Sequence, residues 1–199
     1  MKSRTEITNF LFKYRSYTPL PFVAVMLLYH QANIWSLIAG LIVLISGEAI
    51  RLWGVSWAGS ETRTTGRVGG TFLIISGPFA FVRNPLYVGN ILIYTGAGIM
   101  SFAAFPYLQI IGLLFFSFQY YLIVLEEERY LKETFGDKFK NYFKNVPRFI
   151  PRLTPYKDPS VVQPPMDLKD GLKSERRTFQ AISIVILTIV LIWFFRRLS

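Results

Sequence analysis

Long apolar runs separated by short polar segments dominate the first two thirds of the chain. Runs at residues 18–30, 34–57, 86–102 and 107–125 predict four membrane-spanning helices, and a further apolar run covers residues 179–199. A bilayer core needs about 20 apolar residues in a helix, so the second run is ample and the first is short. The pattern predicts an all-α protein, a polytopic integral membrane bundle of about five membrane helices.

Polar character begins abruptly after residue 125. Three consecutive glutamates follow the apolar run with no turn signal, so the helix is expected to continue out of the membrane. Gly136 is a candidate C-cap and Asp137 a candidate N-cap. These signals predict cytoplasmic helices over residues 126–145, with a break between them.

The chain is expected to divide into three regions. Residues 1–153 form the membrane core that carries the candidate site. Residues 154–178 are rich in proline and polar residues without a periodic pattern, which is typical of a linker. Residues 179–199 form a C-terminal apolar helix, and the pattern leaves open whether it fully crosses the membrane.

The composition is typical of a membrane protein and limits the kinds of site that the chain can form. The 199 residues are 52% hydrophobic and 17% charged, too apolar for a typical soluble domain. The net charge of +10 lies outside the apolar runs, as in cytoplasmic membrane loops, so we expect membrane contacts and no nucleic acid. The chain has no cysteine and one histidine, His30, which is expected to be interfacial. We therefore expect no metal site.

The distribution of basic residues predicts the orientation. Residues 1–17 and 129–177 are both basic, and four crossings between them place both on one side of the membrane, together with the loop at 59–84. The positive-inside rule makes that side cytoplasmic. No small-residue cleavage site follows the N-terminal basic residues, so this segment is expected to be retained.

A polar stretch rich in proline and glycine precedes the third apolar run. Pro85 disfavours helix at the residue before it and can itself begin a helix, so Arg83 and Asn84 are expected on the preceding turn. The first backbone N–H groups of the helix favour an anion or a carboxylate there. Tyr87 lies in the first turns, and Gly89 leaves room for a close approach. An ordinary loop-to-helix junction with interfacial side chains fits the same residues.

Ionisable residues also lie within or beside the predicted spans. Glu48 and Arg51 are three residues apart and share a helix face, and such groups usually face a bundle interior or a wet cavity. They either pair with each other at the interface or line the same pocket as Arg83. Glu127 and Glu128 either form a solvated helix end or turn inward to hold a cation.

Five short motifs follow one another in a set order. They are Gly77-Pro78, Arg83-Asn84-Pro85-Leu86-Tyr87-Val88-Gly89, Glu127-Glu128, Phe135-Gly136 and Val146-Pro147-Arg148-Phe149-Ile150-Pro151. The ordered set resembles the isoprenylcysteine carboxyl methyltransferase family and, more loosely, the phospholipid N-methyltransferases, over residues 34–151. Asn84 stands where the family usually has histidine. Asparagine can hydrogen-bond a ligand but cannot act as a general base.

The resemblance implies an S-adenosyl-L-methionine-dependent membrane methyltransferase with an acceptor from the bilayer. That acceptor is an isoprenylcysteine-like carboxylate or a phospholipid head group. The implied cofactor-binding residues are Arg83, Asn84, Pro85, Tyr87, Gly89, Glu127, Glu128 and Tyr142, the substrate-binding residues are Glu48, Arg51 and Arg148, and the catalytic residues are Arg148 and Glu127. Arginine and the helix N-terminus suit the cofactor's carboxylate, glutamate suits its ammonium or ribose, and tyrosine suits adenine or the sulfonium. Arg148 is expected to hold an anionic acceptor, or a phosphate of the membrane surface.

Two other functions fit parts of the sequence. An NADPH-dependent reductase of the sterol type resembles this superfamily in its C-terminal part, although the present chain is short for one. A non-enzymatic scaffold that binds anionic lipid through its basic face would need neither the Glu48–Arg51 pair nor the Glu127–Glu128 pair.

Overall fold

The structure, a computed structural model, describes residues 12–59 and 72–198. Within these residues the helices of nine residues or more are α1 (Leu20–Leu28), α2 (Ile34–Ala58), α3 (Pro85–Ser101), α4 (Tyr107–Asn145) and α5 (Leu168–Leu198), with a 3-10 helix at Gly77–Ala80. No strand occurs in this described part, so the predicted all-α architecture is confirmed. The expectations for residues 1–11 and for most of the loop at 59–84, namely residues 60–71, fall outside the described residues.

Local sequence signals account for the helix boundaries. Asn33 caps α2, and its Oδ1 accepts hydrogen bonds from the backbone N–H groups of Trp35 and Ser36, each at 3.0 Å. Pro85 begins α3, where its missing N–H costs nothing. Gly136 interrupts α4 with φ 55° and ψ −124°, which confirms the break predicted there.

Three helices of the described part, α2, α4 and α5, are long and apolar enough to cross a membrane, judged by length and composition. The other two predicted spans are shorter, with 9 residues in α1 and 17 in α3. Exposed aliphatic side chains cover the outer faces of the three long helices, among them Ile38, Ile42 and Ile45 of α2, Ile110, Ile111 and Leu114 of α4, and Ile184, Leu187 and Leu191 of α5. The molecule is therefore a helical membrane protein.

The contact between α2 and α3 depends on four glycines. A Cβ on Gly40 would lie 2.4 Å from the carbonyl oxygen of Gly96, and one on Gly47 would lie 2.6 Å from that of Gly89. The two backbones therefore touch directly at two levels, a packing that small residues allow in membranes. The pairing also shows that the helices run antiparallel.

Helix α5 begins at Leu168, which corrects the predicted linker over 154–178 and helix start at 179. Prolines of this region all precede residue 166, and good helix formers follow them. Gly171 packs so closely on α2 that a Cβ there would lie 2.3 Å from Ser56 Oγ. Farther along α5, the carbonyl oxygen of Ile189 lies 3.0 Å from Nε2 of His30. His30, expected at the interface, is only 2% exposed.

An extended segment, residues 146–167, connects α4 to α5 and is called the strap below. It runs beside residues 72–83 through backbone hydrogen bonds of 2.9 Å, from Arg83 N to Pro147 O, from Arg152 N to Phe81 O and from Tyr156 N to Ala80 O. Oε1 of Gln163 also accepts the backbone N–H of Ile75 at 2.8 Å. The strap therefore holds the segment before α3 and brings Arg148 beside Glu128 in the middle of α4.

Candidate functional site

A cavity of about 830 Å³ lies between the helices and reaches the turn before α3. This volume falls within the range of roughly 300–1,000 Å³ that is typical of small-molecule sites. All five helices contribute to its wall, together with residues 12, 15–16, 19, 72–74, 79 and 83–84. The cavity is therefore the candidate site, and its lining determines what it can bind.

The lining changes character along the helices in a consistent order. On α3 the lining residues run from Tyr87 through Asn90 and Tyr94 to Ala97, which spans about 15 Å at 1.5 Å per residue. On the antiparallel α2 they run from Ala58 through Arg51 to Leu44, and on α5 from Glu175 through Ile182 to Val185. Three levels result: a polar mouth at Arg83, Asn84, Tyr87, Glu127 and Tyr142; a middle layer at Arg51, Asn90, Tyr120 and Glu175; and an apolar end at Met26, Leu44, Ala97 and Val185.

Tyrosines and a glutamate shape the mouth. The hydroxyl of Tyr87 donates to Oε1 of Glu127 at 2.5 Å, which aims this carboxylate inward from α4. The ring of Tyr87 stacks on that of Tyr120 with centroids 4.6 Å apart. The hydroxyl of Tyr142 donates to the carbonyl oxygen of Phe79 at 2.8 Å. The mouth thus offers aromatic faces beside one oriented carboxylate.

Glu128 holds two arginines at the rim of the mouth. Arg83 Nη2 lies 3.0 Å from Oε1 of Glu128, and Arg148 binds the same carboxylate through Nε at 3.0 Å and Nη2 at 2.6 Å. Arg83 Nη1 also donates to the carbonyl oxygen of Phe143 at 2.5 Å. Glu127 therefore turns toward the cavity, whereas Glu128 faces the two arginines, and both carboxylates already have protein partners.

The two arginines differ in environment. Burial lowers the pKa of Arg83, although the Glu128 carboxylate opposes this shift. The hydrogen bond from Arg148 to Glu128 raises the pKa of Arg148. Asn84 caps no backbone group of α3 and instead donates from Nδ2 to the carbonyl oxygen of Arg148 at 3.2 Å. Arg83 is thus a buried cation of the mouth, whereas Arg148 and Asn84 connect the strap to the rim.

The middle layer is a continuous hydrogen-bonded network. Arg51 Nη2 donates to both carboxylate oxygens of Glu175, at 2.7 and 2.8 Å, and Nη1 donates to Oδ1 of Asn90 at 2.6 Å. Asn90 Nδ2 then donates to the hydroxyl of Tyr120 at 3.1 Å. The ion pair between Arg51 and Glu48, one of the two alternatives for these residues, is longer, 3.7 Å from Nε to Oε2. Glu175 is therefore the close carboxylate partner of Arg51.

The structure brings most of the predicted site residues to one cavity. Those that line it are Arg51, Arg83, Asn84, Pro85, Tyr87, Glu127 and Tyr142. Glu48, Gly89, Glu128 and Arg148 lie behind this wall. Gly89 packs against α2, where a Cβ would lie 2.5 Å from Cγ of Arg51 and 2.7 Å from the carbonyl oxygen of Gly47. Its missing side chain therefore serves helix packing at this position.

Sequence reasoning assigned no role to Asn90, Tyr120 or Glu175. Asn90 stands three residues after Tyr87, so its place on the same face of α3 was available as a signal. Glu175 lay in the predicted linker, where no pattern pointed to the cavity. Among the described residues no group of three or more His, Asp or Glu side chains could hold a metal ion.

Comparison with known proteins identifies one family. A family model described as phospholipid methyltransferase matches residues 35–138, about half of the chain. The matched residues include nearly all of α2, the whole of α3 and most of α4, and they exclude the strap and α5. No curated protein and no solved structure matches the chain.

Proposed function

Because the chain belongs to the phospholipid methyltransferase family, and is thereby a membrane methyltransferase, we propose that it transfers a methyl group from S-adenosyl-L-methionine to a lipidic acceptor. The observation that carries this proposal is the cavity, which joins a charged aromatic mouth to an apolar end between membrane helices. A water-soluble cofactor suits the first part and a hydrocarbon chain the second. Holding both in one space supports alignment of donor and acceptor with water excluded.

The residues of the mouth fit the chemistry of the proposed cofactor. Arg83, whose side chain is 8% exposed, has a buried Nε without a hydrogen-bond partner in the described structure, and it would hold the carboxylate. Glu127 would hold the ammonium, and Tyr87 and Tyr142 would contact adenine or the sulfonium. When bound, the cofactor supplies an electrophilic methyl group. The chain's own residues bind, orient and desolvate the reactants, and this fit requires no metal.

The apolar end supports an acceptor with a hydrocarbon tail. Aliphatic side chains from α1, α2, α3 and α5 meet there, including Val23, Met26, Leu44, Ile93 and Val185. Burial of apolar surface stabilises a chain in this space by about 25 cal/mol per Å². A phospholipid head group and an isoprenylcysteine carboxylate both remain acceptors of the proposed class, since each carries such a tail. Arg148, paired with Glu128 outside the cavity, would act on either acceptor only through the rim.

The mouth is proposed to face the cytoplasm. The end of α4 after the break at Gly136 and the strap carry many lysines and arginines, among them Lys138, Lys140, Lys144 and Arg152. Short segments with this excess are retained on the cytoplasmic side. The same side supplies S-adenosyl-L-methionine.

The proposal is tested by titrating the purified protein in detergent with S-adenosylhomocysteine in a calorimeter. Saturable binding is expected, and transfer of labelled methyl groups to phosphatidylethanolamine vesicles or to N-acetyl-S-farnesylcysteine identifies the acceptor class. Absence of binding by folded protein would overturn the proposal. Oxidation of NADPH with a sterol substrate would then favour the reductase, and salt-sensitive binding to anionic vesicles alone would favour the scaffold.

Tyr87→Phe is expected to weaken S-adenosylhomocysteine binding about fivefold. The variant removes the hydroxyl that orients Glu127, and a typical hydrogen bond contributes about 1 kcal/mol. Calorimetry measures the change. Tyr107→Phe is the matched control, because Tyr107 lies on the same helix as Glu127, is 70% exposed and does not line the cavity. Equal affinity of Tyr87→Phe and wild type would contradict the role of this contact.

A further inference from the structure

We propose that Glu175 is a positioning residue that fixes Arg51 and Asn90 where the head group of the methyl acceptor lies. This inference rests on the proposed function and deepens it. Glu175 belongs to α5, outside residues 35–138 that match the family. The chain therefore adds a carboxylate from its C-terminal helix to a cavity most of whose other polar lining residues lie in the matched region.

The geometry of the middle layer supports this role. Glu175 is 0% exposed, and both of its carboxylate oxygens accept from one nitrogen of Arg51. That contact leaves the other terminal nitrogen of Arg51 directed at Asn90, 2.6 Å from Oδ1. The Asn90 amide in turn donates to Tyr120. One carboxylate thus determines the orientation of groups on α2, α3 and α4.

The position of the layer indicates which reactant it meets. Along α3 the middle layer lies about one turn below Tyr87 and about two turns above Ala97. A lipid with its tail in the apolar end and its reactive group directed at the mouth must place its polar atoms between these levels. The Arg51–Asn90–Glu175 network supplies polar groups at that depth.

Anchoring of α5 does not require this ion pair. The start of α5 already packs through Gly171 on Ser56, and the N–H of Asp167 donates to the carbonyl oxygen of Ser56 at 2.8 Å. A buried ion pair gains little stability over well-packed apolar side chains, because both charges lose water. A carboxylate and a guanidinium that line a cavity are therefore better explained by what the cavity binds.

Glu175 also sets the charge that Arg51 presents. Because Arg51 donates to both oxygens of Glu175, its charge is balanced and its remaining hydrogen-bond donors have a fixed direction. Without Glu175, the guanidinium is free to turn toward Glu48, whose Oε2 already lies 3.7 Å from Nε. Asn90 would then lose its donor, and the acceptor would meet a displaced network.

The first test compares Glu175→Gln and Glu175→Asp with Asp170→Asn, which changes an exposed carboxylate on the same helix. S-adenosylhomocysteine affinity is measured by calorimetry, and KM and kcat are measured with the probe acceptor that wild type methylates. For Glu175→Gln we expect cofactor affinity within twofold of wild type and an acceptor KM raised about tenfold. The acceptor KM of Glu175→Asp should lie between those of wild type and Glu175→Gln. Asp170→Asn should match wild type in both quantities.

Two outcomes would overturn the inference while the proposed function stands. One is an unchanged acceptor KM with activity falling only as the folded fraction falls; the other is a loss of cofactor affinity equal to the loss of acceptor affinity. If the wild-type protein bound no S-adenosylhomocysteine, or methylated neither probe, both proposals would be overturned. This result is distinguishable from the other two because it is seen in the wild-type protein itself.

A paired substitution separates positioning from stability. Arg51→Met combined with Glu175→Met removes both charges and keeps the volume of the side chains, so the Tm lost in Glu175→Gln should recover. The acceptor KM should remain raised, because the network is still absent. Recovery of both quantities would show a purely structural pair and would overturn the inference.

Discussion

Arg83→Ala is expected to weaken S-adenosylhomocysteine binding by at least about 30-fold. Loss of one partner of a buried, hydrogen-bonded charge pair costs about 2–5 kcal/mol, and 2 kcal/mol corresponds to about 30-fold in affinity. Arg83 is the cation that lines the mouth beside α3, and its side chain is 8% exposed. The measurement is a calorimetric titration of the folded variant.

The fold should survive this substitution, because Arg148 keeps both of its hydrogen bonds to Glu128. Arg129→Ala provides the control, since Arg129 is 60% exposed and pairs with Glu126 on the outside of α4. Arg83→Lys should recover only part of the affinity, because lysine keeps the charge but lacks the planar fork. If Arg83→Ala bound the ligand as tightly as Arg129→Ala, the assignment of the cofactor carboxylate to this site would be wrong.

Gly40→Ala is expected to destabilise the protein and to lower its Tm by at least about 3 °C. The new methyl group would lie 2.4 Å from the Gly96 carbonyl oxygen and 2.4 Å from the Met100 backbone nitrogen. No change of rotamer relieves contacts with backbone atoms, so α2 and α3 must move apart, at a cost of about 1–3 kcal/mol. Thermal unfolding in detergent measures the effect.

Gly112→Ala makes the same chemical change in another apolar helix. Its new methyl group would meet only the ring of Phe22 at 3.6 Å, an ordinary contact. Alanine also favours helix over glycine by about 1 kcal/mol, so this control should be neutral or stabilising. A Tm for Gly40→Ala equal to that of the control would mean that the helices tolerate separation at this level.

The arrangement of the mouth could be predicted in part because its residues are close in sequence to helix signals. Pro85 marks the start of α3, so Arg83 and Tyr87 had to lie on either side of a helix N-terminus. The glutamates at the end of the apolar run of α4 were recognisable as ionisable groups near a membrane exit. Their partners were not, since the contacts of Glu128 with two arginines depend on how the strap folds back.

The middle layer could not be predicted because its members come from distant parts of the chain. Arg51 and Glu175 are separated by 124 residues, and their contact exists only because Gly171 lets α5 lie against the end of α2. Residues 168–178 are polar, and after a proline-rich stretch they resemble a linker. Burial of Gly171 and Glu175 on one helical face is a property of packing, which the local pattern does not encode.

By itself, the sequence determined the helical membrane class, the approximate helix positions, the break at Gly136 and the family resemblance. Each of these depends on local properties, such as the length of an apolar run, the backbone freedom of glycine or the order of short motifs. Only the tertiary structure decided that Gly89 serves helix packing, that α5 begins at Leu168, and that Glu175 completes the polar wall of the cavity. Those features follow from contacts between distant segments, whose geometry depends on the packing of all five helices together.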